Sequence, residues 1–231
     1  MRILLIRHAD PDYPNDTITA AGHLEAQALA QRLKKEGIDR IYSSPVNRAV
    51  HTMQYTAELL GIDPVIEPWT RELSLNPVIF ADSKIAAWNI PGETVRAVQP
   101  YPSHEIWPES DHYREYAQAY DQLKADSDDF LQRHGYVREE GRYRIASPNR
   151  ETIAVFCHHG FGVTWLAHLL ELPLPLVWSG FWLPPSSVTT ILFEERSREW
   201  AVPRCIGLGS VAHLHEAGLN MSTAGLLGNE A

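Results

Sequence analysis

The chain has 231 residues, 44% hydrophobic and 10% aromatic, enough to bury a sizeable core as one domain or one domain carrying an insertion. Its net charge of -9 excludes the clustered lysine and arginine that nucleic acid or an anionic membrane surface demands, so an anionic ligand has to be held by a local pocket. Two cysteines, Cys157 and Cys205, are too few for a disulfide framework, and no apolar run is long enough for a signal-peptide core or a membrane span, so a cytoplasmic protein is expected.

Ile3, Leu4, Leu5 and Ile6 form a continuous apolar run, the pattern of a central strand covered on both faces. Ala26, Leu29, Ala30 and Leu33 then recur at helical spacing, and Gly37 marks the end of that helix. Ile38 to Tyr42 reads as a second strand. Ser44-Pro45 reads as the cap and first turn of a helix running to Gly61, with Ala49, Met53, Ala57 and Leu60 inward. Pro64 to Glu67 reads as a third strand, so the chain alternates strand and helix in the manner of an α/β fold.

From Leu73 to Asp111 the periodicity dissolves into a proline- and aromatic-rich stretch, read as an irregular insertion or lid in a single domain spanning 1–231. A polar helix follows from Tyr113 to His134, with Tyr116, Tyr120, Leu123, Phe130 and Leu131 as its apolar positions. Ile153 to Phe156 is a second continuous apolar strand. It ends in Cys157-His158-His159-Gly160 and feeds an apolar helix from Val163 to Leu172. Ser187 to Phe193 and Glu199 to Pro203 read as an antiparallel pair at a sheet edge, and the tail after Leu219 as mobile. The segment Val177 to Pro185, with Trp178, Phe181 and Trp182, fits either core or interface, and the oligomeric state is left open.

Ligands of open α/β sheets bind beyond the carboxyl ends of the strands. The chain places Arg7 and His8, Arg48, Glu72, and His158 with His159 after four such ends. Taken singly, Arg48 is by default a surface cation and Glu72 half of an exposed ion pair with Arg71. Taken together they offer donors for a dianionic phosphoryl group, a nucleophile and an acid.

In these residues the chain resembles the histidine phosphatases, or phosphoglycerate mutase-like superfamily. Arg7-His8-Ala9 stands for the family's Arg-His-Gly, and Ile18-Thr19-Ala20-Ala21-Gly22 for its Leu-Thr-x-x-Gly. Ser43-Ser44-Pro45-Val46-Asn47-Arg48-Ala49 with Thr52, Arg71-Glu72-Leu73, Cys157-His158-His159-Gly160 and His213-Leu214 match the remaining motifs in order. Ala9 and His159 replace family glycines; ungapped alignment puts His158 on the family's second histidine, with His159 a neighbour that narrows the pocket.

The resemblance implies a three-layer sandwich with a mostly parallel central sheet flanked by helices. It implies that neutral His8 attacks phosphorus, that Arg7, Arg48 and His158 hold the nonbridging oxygens, and that Glu72 protonates the leaving oxygen. It also implies that a small phosphorylated substrate is the partner and that neither a metal nor another cofactor is needed. Mutases of the family carry a longer, tryptophan-containing segment after the nucleophile. Only ten residues lie between His8 and Thr19, none of them tryptophan, so hydrolysis is the expected outcome, with a mutase-type transfer as the alternative. Trp88, Tyr101 and Trp107 are candidate walls of a leaving-group pocket, or else packing residues of the insertion. Two readings of other classes remain: a metal-dependent hydrolase using His158-His159 and His213-x-His215, and a non-catalytic phosphate-recognition module.

Overall fold

The computed structural model describes residues 1–80, 82–109 and 113–228. The opening apolar run forms β1, Arg2–Arg7, with Ile3 through Ile6 buried. A small ribbon follows, β2 (Pro11–Asp12) paired with β3 (Thr17–Ile18). The Thr19 hydroxyl then accepts from the Gly22 N–H and caps α1, Ala20–Glu36, which Gly37 ends in the left-handed region at φ 73°. β4 (Arg40–Ser43) leads into α2 (Asn47–Leu60) and then β5 (Val65–Ile66). Ser44 does not cap α2. Val46 occupies the cap position without a side-chain bond, while the Ser44 hydroxyl, set before the helix, accepts from the Val46 N–H and meets His158 on a neighbouring strand end.

The stretch read as irregular carries short elements: the hairpin β6 (Val78–Phe80) and β7 (Ser83–Ile85), then α3 (Gly92–Ala97), with single helical turns at Ala87–Asn89 and Trp107–Glu109. Asp111, the expected end of the insertion, lies outside the described residues. α4 (Arg114–Arg133) buries Tyr116, Tyr120, Leu123, Phe130 and Leu131, as its spacing predicts. β8 (Tyr136–Glu139) and β9 (Arg142–Ile145) form a hairpin, followed by β10 (Thr152–Cys157), α5 (His159–Leu169), α6 (Leu174–Gly180), β11 (Val188–Glu195), β12 (Trp200–Ser210) and α7 (Ala212–Glu216).

Eight strands join in the order β5-β4-β10-β1-β11-β12-β9-β8. The first four run parallel and form the core of the sheet; from β11 outward every pairing is antiparallel. Side chains of adjacent residues go to opposite faces, as the pleat requires. Ile3 and Leu5 pack with Phe161, Trp165 and Phe130, while Leu4 and Ile6 pack with Leu29, Leu33 and Met53. Helices therefore cover both faces, α1 and α2 on one and α4, α5 and α6 on the other, which is the α/β sandwich expected. Burying each β1 aliphatic side chain is worth about 1.5–3 kcal/mol.

β11 is not an edge strand: it lies against β1, and the edge belongs to the β8–β9 hairpin. That hairpin turns through Glu140-Gly141, with Glu140 at φ 57°; β8, Tyr-Val-Arg-Glu, lacks strand alternation, and β9, Arg-Tyr-Arg-Ile, alternates over only four residues. The tail, expected to be mobile, is tied back by Ser222 donating to the Asp10 carboxylate and by the Ala224 carbonyl accepting from Arg7.

Candidate active site

β1 and β10 run in register from Arg2↔Thr152 to Arg7↔Cys157, and β10 pairs β4 through Phe156↔Ser43. His8, His158 and Ser44 consequently emerge side by side from the carboxyl ends of three adjacent parallel strands. The rings of His8 and His158 stand 5.3 Å apart, centroid to centroid.

The main chain around His8 is fixed at each step. The His8 N–H donates to the Cys157 carbonyl at 2.9 Å, and the His8 carbonyl accepts from the Ser186 N–H at 3.0 Å. Ala9 N–H donates to the Thr52 hydroxyl at 2.9 Å and Asp10 N–H to the Glu25 carboxylate at 3.0 Å. The Thr-x-x-Gly motif belongs to the same support: Thr19 donates through its hydroxyl to Asp10, and a Cβ on Gly22 would lie 2.6 Å from the Asp10 carbonyl oxygen.

His8 is 2% exposed, and burial, reinforced by Arg7, His158 and Arg48, holds its pKa well below the ordinary histidine value. The ring is therefore neutral at physiological pH. Its Nδ1 lies 2.8 Å from the Ala9 carbonyl oxygen, which can only accept, so Nδ1 carries the proton and Nε2 keeps a free lone pair. His158 is likewise held neutral by burial and then by Arg48, Arg7 and Arg71. The Ser44 hydroxyl accepts from the Val46 N–H and sits 2.7 Å from His158 Nε2, its one proton acceptor among the described residues. Ser44 thus donates to Nε2, and His158 Nδ1 holds an N–H.

That N–H has no partner among the described residues, nor do Arg7 Nε and Arg48 Nε; all three atoms are buried. Each unpaired buried donor costs about 1–3 kcal/mol, a cost that an anion's oxygens would relieve. Arg7 is clamped by the Leu183 and Ala224 carbonyls, both at 2.7 Å, and Arg48 by Asp16 at 3.1 Å, so both guanidinium groups are oriented before any ligand arrives. Glu72 forms no ion pair with Arg71. It turns inward to accept from Gly160 N–H at 3.1 Å, Phe161 N–H at 2.7 Å and Leu73 N–H at 3.1 Å. Burial nevertheless raises its pKa, outweighing those N–H groups and Arg48, which suits a carboxyl that gives up a proton.

His159 sits beside the cluster, with Nδ1 accepting from the Leu183 N–H at 3.3 Å and a pKa driven down to about 3 by burial and Arg7. Of the three aromatic residues expected to wall a pocket, Trp88 lines the cavity next to this site. Trp107 packs under Tyr120 away from that cavity, and Tyr101 is exposed. Thr52 and Ser44 were visible only as motif letters, without their bonds to Ala9 and His158. Glu25 has a readable signal: it stands four residues before Leu29 on the buried face of α1, where an acid is out of place. His213 is buried against the Ser186 hydroxyl at 3.3 Å while His215 faces solvent, so the His-x-His pair is split. Among the described residues no three His, Cys, Asp or Glu side chains group as a metal ion needs, and no helix is long and apolar enough to cross a membrane.

The family model of the histidine phosphatase superfamily (branch 1) matches residues 3–204. A putative phosphoserine phosphatase 2 of Hydrogenobacter thermophilus is 33% identical over 82 residues, covering 32% of this chain and 40% of that protein. A probable phosphoglycerate mutase GpmB of Proteus mirabilis is 28% identical over 105 residues, covering 42% of this chain and 48% of its own length. The chain thus spans less than half of the curated relatives it matches. Among solved structures, a phosphoserine phosphatase mutant of Entamoeba histolytica in complex with phosphoserine superposes with a TM-score of 0.62 at 20% identity, over 92% of this chain and 98% of that one. Mycobacterial glucosyl-3-phosphoglycerate phosphatase gives 0.59 at 18%, over 90% and 98%. At these identities the structural likeness speaks to the fold.

Proposed function

The chain belongs to the histidine phosphatase superfamily, and from that premise we propose that it hydrolyses a phosphomonoester without metal, through a phosphohistidine on His8. The observation that carries this reading is the tautomer of His8: a buried, neutral ring whose Nδ1–H is held by the Ala9 carbonyl and whose Nε2 is free beside three unpaired donors.

In the first step the Nε2 lone pair forms a bond to phosphorus as the bond to the ester oxygen breaks. Glu72 gives its proton to that oxygen, and the alcohol leaves. Arg7, Arg48 and the His158 Nδ1–H receive the nonbridging oxygens, and the bond from Nδ1 to the Ala9 carbonyl steadies the positive charge that the ring acquires. In the second step Glu72, now a carboxylate, takes a proton from water as its oxygen attacks phosphorus. The N–P electron pair returns to Nε2, Glu72 is again protonated, and inorganic phosphate is released. Two guanidinium groups thereby supply charge that a metal ion brings to other phosphoryl-transfer sites.

The test is inorganic phosphate release from p-nitrophenyl phosphate in the presence of a chelator, for wild type and His8→Ala. Turnover that survives the chelator and falls by about 10³-fold or more in the variant supports the reading. Turnover that disappears in chelator, or that His8→Ala retains, overturns it. Transfer to an added phosphorylated alcohol in place of phosphate release would assign the mutase alternative, which the names of the curated relatives keep in view.

A further inference from the structure

A cavity of about 380 Å³ opens beside the proposed catalytic cluster, between the 73–109 segment, the end of α6 and the tied-back tail. It joins the cluster at three places. His159, which follows His158 at the end of β10, is part of its lining. Trp88, on its wall, lies so close over Gly160 that a Cβ there would fall 2.6 Å from the indole, and the Gly160 N–H is one of the donors that hold Glu72. Gly225, in the tail, lies against Arg7, where a Cβ would come 3.3 Å from Nη2. The cavity thus begins where the carboxyl that serves the leaving oxygen is held.

Its walls are chiefly Trp88, Trp178, Phe181, Trp182, Ile85 and Leu226, with Asn89 and Ser179 as polar members, and among the described residues no Lys, Arg, Asp or Glu lines it. Arg96 approaches Gly180 without becoming part of the lining. The titratable side chain that does line it, His159, is neutral, with its proton on Nε2 because Nδ1 accepts from Leu183. A carboxylate or ammonium group placed here would lose water and meet no charged side chain in the described lining, since Arg7 and Arg96 stand behind Gly225 and Gly180, whereas a ring system would gain apolar burial. The volume falls in the range that holds small ligands.

Building on the hydrolase reading above, we propose that this cavity is the leaving-group pocket and that the protein selects phosphomonoesters of uncharged, ring-bearing alcohols over carboxylate-bearing ones. The phosphoryl group sits on the cationic cluster while the alcohol's ring lies between Trp88 and Phe181. His159 offers one neutral donor, and the tail closes the far side.

The test compares kcat/KM for 3-phenylpropyl phosphate, phosphoserine and 3-phosphoglycerate, all esters of primary alcohols, with the phenylpropyl ester carrying the least acidic leaving group, so that a preference for it is not a leaving-group effect. The expected preference for the phenylpropyl ester is about a hundredfold, and Phe181→Ala lowers that preference about tenfold, chiefly through KM. Equal or better turnover of phosphoserine or 3-phosphoglycerate overturns the proposal while leaving the hydrolase reading intact; so does a preference that a folded Phe181→Ala variant keeps in full. If no ester is hydrolysed, the hydrolase reading fails, and the pocket is judged by binding of 3-phenylpropan-1-ol against serine, read from tryptophan fluorescence. Saturable quenching by phenylpropanol alone upholds the pocket's chemistry. Quenching by neither, or by serine as strongly, rejects it.

Discussion

The strand-end floor of the site and the roof above it are built on opposite principles. The floor hangs from the parallel half of the sheet, where the backbone of His8, Ala9 and Asp10 is bonded at every step to Cys157, Ser186, Thr52 and Glu25. The roof is a hairpin of two three-residue strands that pair with each other alone, with Ile79 64% and Phe80 37% exposed, together with a tail tied by single bonds to Asp10 and Arg7. Under the proposed function, such a division gives the chemistry a rigid, preorganised base and leaves leaving-group choice to parts that can vary without disturbing it.

Changes to the floor should act on kcat, and changes to the roof on KM. The largest effect is expected from Glu72→Gln, which should lower turnover of an alkyl phosphate by about 10²–10⁴-fold. A p-nitrophenyl ester, whose leaving group needs little protonation, should lose far less, and the two losses are compared by steady-state kinetics. Equal losses for both esters would place Glu72 among the binding groups. Thr52→Val, which removes the acceptor of the Ala9 N–H, should cost about 1–3 kcal/mol of stability in denaturant titration and lower kcat about tenfold with KM little changed.

Glu25 tests the floor through pH. Burial raises its pKa from the ordinary carboxyl value to about 7. The folded state therefore binds a proton there that the unfolded chain has already lost, and this contribution is complete below about pH 4.5 and disappears as pH rises through 7. Relative to Glu25→Gln, the wild type should lose about 2 kcal/mol between pH 5 and pH 8 in chemical denaturation, and parallel pH profiles would refute the assignment. The smallest effect belongs to the roof. Ser222→Ala frees one tie of the tail and should raise KM by about two- to fivefold with kcat unchanged, since a single exposed-side hydrogen bond is worth about 0.5–1.5 kcal/mol.

The same division explains what was legible in the sequence. β1 and β10 announced themselves because a strand covered on both faces has to be apolar throughout, and Arg7, His8 and His158 stood out as polar residues ending those runs. α1 and α4 were readable from stripes that the structure buries, and α2 in part: Ala49 and Met53 are buried as expected, but Ala57 and Leu60 are only half-buried and Thr52 and Thr56 take the inner positions. The β8–β9 hairpin was not, since the edge strand β8 carries charged residues without alternation and the four residues of β9, though alternating, are too short a run to mark a strand. Trp88 and Trp107 carry the same letter and lie in the same stretch, yet Trp88 walls the cavity and Trp107 joins the core. Which does which depends on tertiary packing over Gly160 and Tyr120, not on local pattern. The ties of the tail were not legible for the same reason: they run to Arg7 and Asp10, more than two hundred residues away in sequence. The roles of Ser44 and Thr52 are likewise pairwise facts, invisible until two strand ends meet.

The central claim is that neutral His8 is the nucleophile, and it is tested most directly by trapping. Wild-type protein mixed with a phosphomonoester, quenched in alkali within milliseconds and mapped by mass spectrometry should carry phosphoryl on His8, stable to base and labile to acid. Turnover at the normal rate with no phosphoryl on His8, or with the label on another residue, would contradict it.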